Sequence, residues 1–438
     1  MVVEGDFGVN AVLAEIGRWA LVIFIAFIAI TGFLYLMRGT VVRHVRGVGA
    51  DGSPVAPAEP QFPLSVAMLT GATLLPGNRV ELALNGDGTN ERLWDDLRSA
   101  SQSITLQLYY GQRGQMADTL QQILIDRAAA GVRVFVLYDA FGIQRITAAY
   151  RAALQDAGVL AVPFRPLSFW KLHLVQNRSH VRGIVVDGRV AWTGGFGIDD
   201  KWIGDGRTNG SWRETNVRFE GPAVRQLQAA FAAAWAEATG VLLTGRMTLS
   251  RSDEGVSTAG LIHTTPTMGS TAAERFLALS IAGATKTLYI TNPYFVADDN
   301  FAGLLADAAR RGVDVRILTA GPRTDVRTVR LAGRASYDRL LAAGVRIYEW
   351  QPSALHAKTF VVDGLWATVG SINFDNRSLV LNDEASLMIL DEGIGSQMNG
   401  IFFDDLAHAA EITLNGFRGR PWAHRIAEQA ASLVSPVL

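Results

Sequence analysis

The stretch from Ser103 to Gly195 recurs, element for element, between Lys286 and Ser371. The first copy runs SITLQLYY, then AAAGVRVFVLYD ending at Asp139, DAGVLAVPF ending at Phe164, and HVRGIVVDGRVAWTGG from His180 to Gly195. The second runs KTLYITNPYF, ARRGVDVRILT ending at Thr319, LAAGVRIYEW ending at Trp350, and HAKTFVVDGLWATVGS from His356 to Ser371. His180 and His356, Asp187 and Asp363, and Gly194 and Gly370 are each 176 positions apart. Solenoid repeats have periods of about 20–50 residues, so this is a domain duplication. Short β-branched runs alternate with Ala/Leu/Arg-rich stretches of helical period, which predicts an α/β fold of two similar lobes, each a mixed sheet flanked by helices.

Ahead of the duplication, Trp19 to Met37 carries no charge over 19 residues, enough at about 1.5 Å per residue to cross roughly 30 Å of hydrocarbon. The acidic start (Glu4, Asp6, Glu15) and the long apolar run argue for a retained anchor over a cleaved signal. Arg18 precedes the span and Arg38, Arg43 and Arg46 follow it, so the charge bias places the bulk of the chain on the cytoplasmic side, as a single-pass protein. A Gly/Ala/Pro/Ser-rich tether follows from Gly47 to Pro63. The expected boundaries are 1–60 for anchor (span about 19–37) and linker, 61–245 for the first lobe and 246–438 for the second.

Composition narrows the chemistry. There is no cysteine, which excludes disulfides, thiol nucleophiles and thiolate metal sites. A net charge of -1 gives no general attraction to nucleic acid, and none is expected as a partner. No metal-binding spacing or cofactor motif occurs, so neither is expected. What remains is the repeated His-x-(Lys/Arg)-x4-Asp pattern: on a strand His356 and Lys358 share one face, as do His180 and Arg182. An imidazole and a cation then point together into a cleft. After the second motif, Gly370, Ser371 and Asn373 form a small loop with donors suited to phosphate oxygens.

Two such motifs in a duplicated α/β chain resemble the phospholipase D superfamily, over roughly residues 75 to 415. Within it, GNRVELALNGD, ITNPYF and LHAKTFVVDG...GSINFDNRS...LNDE look like the bacterial cardiolipin synthase family. The resemblance implies a metal-independent exchange at the inner membrane. One motif histidine, commonly that of the first half and here His180, attacks the phosphodiester, and His356 protonates the leaving alcohol. It makes His180, Arg182, Asp187, His356, Lys358 and Asp363 the catalytic set, with Ser371 and Asn373 on the phosphate and phosphatidylglycerol as both donor and acceptor. An acidic residue is expected to orient each histidine: Glu384, from LNDE, within the second half and Glu214, from WRET, within the first. The distance of Asp187 and Asp363 from the histidines along an extended strand points instead to a structural role.

The first half departs from the family pattern with Arg182 in place of lysine and Gly197 in place of asparagine. A hydrolase using water, or a catalytically weak membrane scaffold, therefore stays open beside the synthase. Oligomeric state is not legible. Two further groups are candidate membrane contacts: Arg323, Arg327, Arg330 and Arg334, spaced to share a helical face, and Phe169, Trp170 and Lys171 before the first motif. His44, His173, His263, His408 and His424 are read as structural or surface residues.

Overall fold

The protein is described by a computed structural model covering residues 6–36, 54–166, 175–208, 210–245, 254–266 and 270–435. The cluster at Phe169, Trp170 and Lys171, the arginines at 38, 43 and 46, and His44 and His173 lie outside the described residues. A helix spans Asp6–Leu36, and within it Val12–Phe33 is long and apolar enough to cross a membrane, with none of it packed inside the protein.

Seven strands of the first half, β1 (Leu75–Leu84), β2 (Ser103–Leu108), β3 (Arg133–Asp139), β4 (Leu160–Phe164), β5 (Gly183–Val186), β6 (Val190–Gly194) and β7 (Thr215–Glu220), lie in the order 4-3-2-5-6-7-1. Their counterparts are β8 (Ser257–Thr264), β9 (Thr287–Thr291), β10 (Asp314–Ala320), β11 (Arg346–Trp350), β12 (Thr359–Val362), β13 (Trp366–Gly370) and β14 (Glu384–Leu390). They repeat that order as 11-10-9-12-13-14-8, and an extra edge strand, β15 (Ala409–Ile412), pairs with β11. In each half three strands run parallel and are joined by helical crossovers, while the motif hairpin and its neighbours run antiparallel. Pairing of β1 with β8 fuses the halves into one 15-stranded sheet.

Local sequence explains the elements. The recurrent Gly-Val dipeptide closes the helices Gln115–Ala129 and Asp299–Arg310, with Gly131 and Gly312 left-handed at φ of 87° and 94°, a conformation that costs glycine no Cβ clash. The valine then enters the next strand's core. Ile104, Leu106, Val134, Val136 and Ile184 build the first half's core, and Leu288, Ile290, Val315, Ile317 and Phe360 the second's. A third apolar layer crosses the junction, packing Val185, Val217 and Phe219 with Val361, Val369 and Leu387. The helix Phe62–Thr70 precedes β1 in the chain yet packs into the second half, where Phe62 meets Trp366 edge-on at 5.0 Å. The expected first-lobe boundary at residue 61 thus falls in a segment that packs on the other lobe. Phe231 and Trp235 stack in the core, as their i, i+4 spacing predicts.

Part of the arginine face turns inward, to ion pairs within the protein. Arg330 and Arg334 both bind Glu349, Arg334 also binds Glu428 at 2.9 Å, and Arg323 lies before the helix, which begins at Arg327. Two of the four cations are therefore spent on joining that helix to β11 and to the C-terminal helix Trp422–Ser432.

Candidate active site

The motif histidines sit just before β5 and β12, on segments that leave their own sheets and pair across the junction. Ser179 bridges to Asp383, with His180 N donating to Asp383 O at 2.8 Å; Arg213 bridges to Leu355, with His356 N donating to Arg213 O at 2.8 Å. Each histidine is thereby set beside the glutamate of the other half. Glu384 accepts from His180 Nδ1 with both oxygens at 2.9 Å, and Glu214 Oε2 lies 2.6 Å from His356 Nδ1. This corrects the expectation that each glutamate serves its own half. Both imidazoles are buried, 7% and 4% exposed, and both glutamates are wholly so.

Each glutamate is nevertheless held by its own half. Ser371 and Ser378 donate to Glu384 at 2.5 and 2.6 Å, and Asn382 at 3.3 Å. Glu214 accepts from Thr215 N at 3.0 Å and from Trp202 Nε1 at 3.3 Å. Trp202 and Ser378 are themselves 176 positions apart, so an indole N–H stands where the second half uses a hydroxyl. The same tryptophan accounts for Gly197: a Cβ there would meet the indole ring at 2.8 Å, and one on Gly195 would meet Glu214 Oε2 at 2.4 Å. Where the second half has Ser371, Asn373 and Ser378, the first has Gly195, Gly197 and Trp202, two glycines and one large ring. Sequence reasoning missed Trp202, although the repeat offset applied beyond the motif would have flagged it.

The cations lie against the imidazoles. Arg182 Nη1 is 3.1 Å from His180 Nε2, and Lys358 Nζ is 2.9 Å from His356 Nδ1. Burial, followed by these cations, pushes both histidines well below the usual imidazole range. Burial raises Glu214, raises Glu384 to about 7 and lowers Lys358 to about 7. Neutral imidazoles, two carboxylates and two cations give a centre of balanced charge. An arriving phosphodiester adds one negative charge where Arg182 and Lys358 can meet it.

Two expected assignments change and one stays open. Asp187 and Asp363 do not join the cleft: with φ of 53° and 54° they turn at the far ends of β5 and β12. There each carboxylate accepts three backbone N–H groups, those of 101–103 and of 285–287, plus the hydroxyl of Ser101 or Thr285. They fasten the loops entering β2 and β9, as their extended-strand distance predicts. Ser371 is not a free phosphate donor either, because its hydroxyl is committed to Glu384. Asn373 is buried beside this network, and its Oδ1 has no hydrogen-bond partner among the described residues.

Such a fold, duplicated about a shared centre with two His-x-(Lys/Arg) pairs, defines a phospholipase D-type enzyme. A family model described as cardiolipin synthase, PLD-like domain, matches residues 277–406. A cardiolipin synthase from Geobacillus thermodenitrificans is 34% identical over 86% of this chain and 74% of its own length; cardiolipin synthase A from Pseudomonas putida is 34% identical over 83% and 76%. Phosphatidylserine synthase from Haemophilus influenzae superposes with a TM-score of 0.61 over 86% of this chain and all of its own, at 14% identity, which speaks to the fold. The chain belongs to the cardiolipin synthase family, membrane-associated phosphatidyltransferases of the phospholipase D superfamily.

Proposed function

We infer that the protein transfers a phosphatidyl group between two phosphatidylglycerol molecules, giving cardiolipin and glycerol. The observation that carries this reading is the pair of crossed imidazole–carboxylate contacts at the lobe junction, each flanked by a cation. Glu384 on Nδ1 and Arg182 against Nε2 favour the His180 tautomer that keeps an Nε2 lone pair, the form a nucleophile needs. His180 attacks phosphorus, the phosphorus–glycerol oxygen bond breaks, and a phosphatidyl-histidine forms. His356 gives the departing glycerol oxygen its proton; Glu214 supports the positive charge this requires. Bound phosphodiester also offsets the field of Lys358 and Arg182, which otherwise suppresses protonation of His356. In the second half-reaction His356 takes the proton of the incoming glycerol hydroxyl, whose oxygen displaces His180. Arg182 and Lys358 bind the phosphoryl oxygens throughout, with Asn373 as an added donor.

In this reading residues 1–60 anchor and tether the enzyme, the lobes follow as 61–245 and 246–438 with the helix Phe62–Thr70 of the first packing back onto the second, and a single span leaves the cleft on the cytoplasmic face. Purified protein incubated with phosphatidylglycerol vesicles should yield cardiolipin and free glycerol by mass spectrometry. Rapid denaturation in detergent at neutral to mildly alkaline pH, where a phosphorus–nitrogen bond survives, should trap phosphatidyl on His180 and not on His356. Phosphatidic acid as the main product would make the protein a hydrolase; no turnover at all would leave a scaffold.

A further inference from the structure

The two imidazoles have different neighbourhoods. His180 faces Tyr109 at 5.0 Å, whereas His356 is walled by Trp202 and Trp212 at 5.3 and 5.1 Å. Those indoles lie 4.9 Å apart, and Tyr110 stands 5.9 Å from Trp202. Into this three-ring box Lys201 places its ammonium, 3.9 Å from the Trp212 centroid, 4.0 Å from Tyr110 and 4.9 Å from Trp202. The box is fixed by backbone bonds: Trp212 N donates to Lys201 O at 2.7 Å, and Ile198 N to Tyr110 O at 3.0 Å. Asp199 lies 3.7 Å from the ammonium, and the lysine side chain keeps 22% exposure, so one side of the filled box meets solvent.

Three aromatic faces around an ammonium are the arrangement that recognises alkylammonium ligands. Here the chain supplies the ammonium itself. We propose that the Tyr110–Trp202–Trp212 box is the subsite for the leaving headgroup at His356, and that Lys201, by filling it, selects donor lipids with an uncharged polyol headgroup over those with an ammonium headgroup. This rests on the assignment of His356 to the leaving alcohol. A glycerol headgroup can accept the lysine's N–H donors with its hydroxyl oxygens. An ethanolamine headgroup brings a second ammonium to a place already charged, in surroundings partly stripped of water, and repulsion of this kind is an effective source of discrimination.

Lys201→Met keeps the reach of the side chain and removes the charge. In vesicles of equimolar phosphatidylglycerol and phosphatidylethanolamine, the ratio of ethanolamine to glycerol released should rise at least about tenfold over wild type, while Lys201→Arg keeps the wild-type ratio. Titration with tetramethylammonium, followed by tryptophan fluorescence, gives a readout independent of turnover: saturable binding is expected in Lys201→Ala, whose truncated side chain vacates the box, and not in wild type. An unchanged ratio in an active Lys201→Met enzyme overturns the proposal. If that variant turns over neither lipid, the titration decides, and failure of Lys201→Ala to bind tetramethylammonium overturns it. Wild type that releases no glycerol would refute the synthase reading, while the titration would still report on the box.

Discussion

Among single side chains, Glu384 shows how burial and chemistry are tied. It has no solvent to stabilise its charge, so burial lifts it to about 7, and the donors from Ser371, Ser378 and Asn382 only partly counter that rise. Lys358 is moved in the opposite sense, lowered to about 7 by the same burial. The exchange needs Glu384 ionised, to accept from His180, and Lys358 protonated, to hold phosphate. Activity is therefore lost on the acid side as Glu384 gains a proton and on the alkaline side as Lys358 loses one. A bell-shaped kcat/KM centred near neutrality is expected from vesicle assays at fixed ionic strength. The alkaline limb of kcat should lie higher, because bound phosphodiester stabilises the ammonium. Glu384→Gln should lower kcat by about 10²–10⁴-fold, since an amide can present its N–H to Nδ1 and favour the wrong tautomer. It should also erase the acid limb, and survival of that limb would assign it to another group.

The loops and turns divide into those that hold the sheet and those that shape the cleft. Asp187 and Asp363 belong to the first kind. Asp187→Ala removes the acceptor of three backbone N–H groups and puts alanine at a left-handed φ. It should cost about 1–3 kcal/mol, seen as a lower Tm with the pH profile unchanged. The loop after β6 belongs to the second kind. Gly197→Asn, which restores the residue usual in the family, should destabilise the fold by about 1–3 kcal/mol through overpacking against Trp202. A Gly197→Asn protein as stable as wild type in thermal melts would mean that the ring yields easily. These loops also mark how far the sequence could be read. The duplication, the alternation of strands and helices along each half and the motif faces were legible because they show in the order and periodicity of the residues themselves. The crossing of Glu214 and Glu384 was not, because it depends on 179 meeting 383 and 213 meeting 355, and strand periodicity carries no information about which distant segments pair. Lys201 escaped notice for another reason: a lone lysine in a short turn is ordinary until the three rings around its ammonium are known.

For the molecule as a whole, the consequence is that neither half owns a complete site. His180 needs a carboxylate anchored in the second half, and His356 needs one anchored in the first. The segments that bring them together are continuous with a sheet fused through β1 and β8. Below that seam lies the apolar layer shared by both halves. Across it Arg213 and Asp405 make a bidentate ion pair at 2.7 to 3.0 Å, both side chains 3% exposed. Removing one partner of such a pair typically costs about 3–5 kcal/mol, because the other charge stays buried. Two full-length variants, His180→Ala and His356→Ala, each lack one imidazole but together contain every residue of one site. If each centre is built within one chain, mixing the purified variants, or reconstituting them in the same vesicles, should give no more cardiolipin than either alone. Recovery of a substantial fraction of wild-type activity would require the halves to exchange between chains, with β1 of one molecule pairing with β8 of another. The fused sheet and the shared core oppose that exchange, since separating the halves would expose the whole apolar layer to water before any new pairing could form.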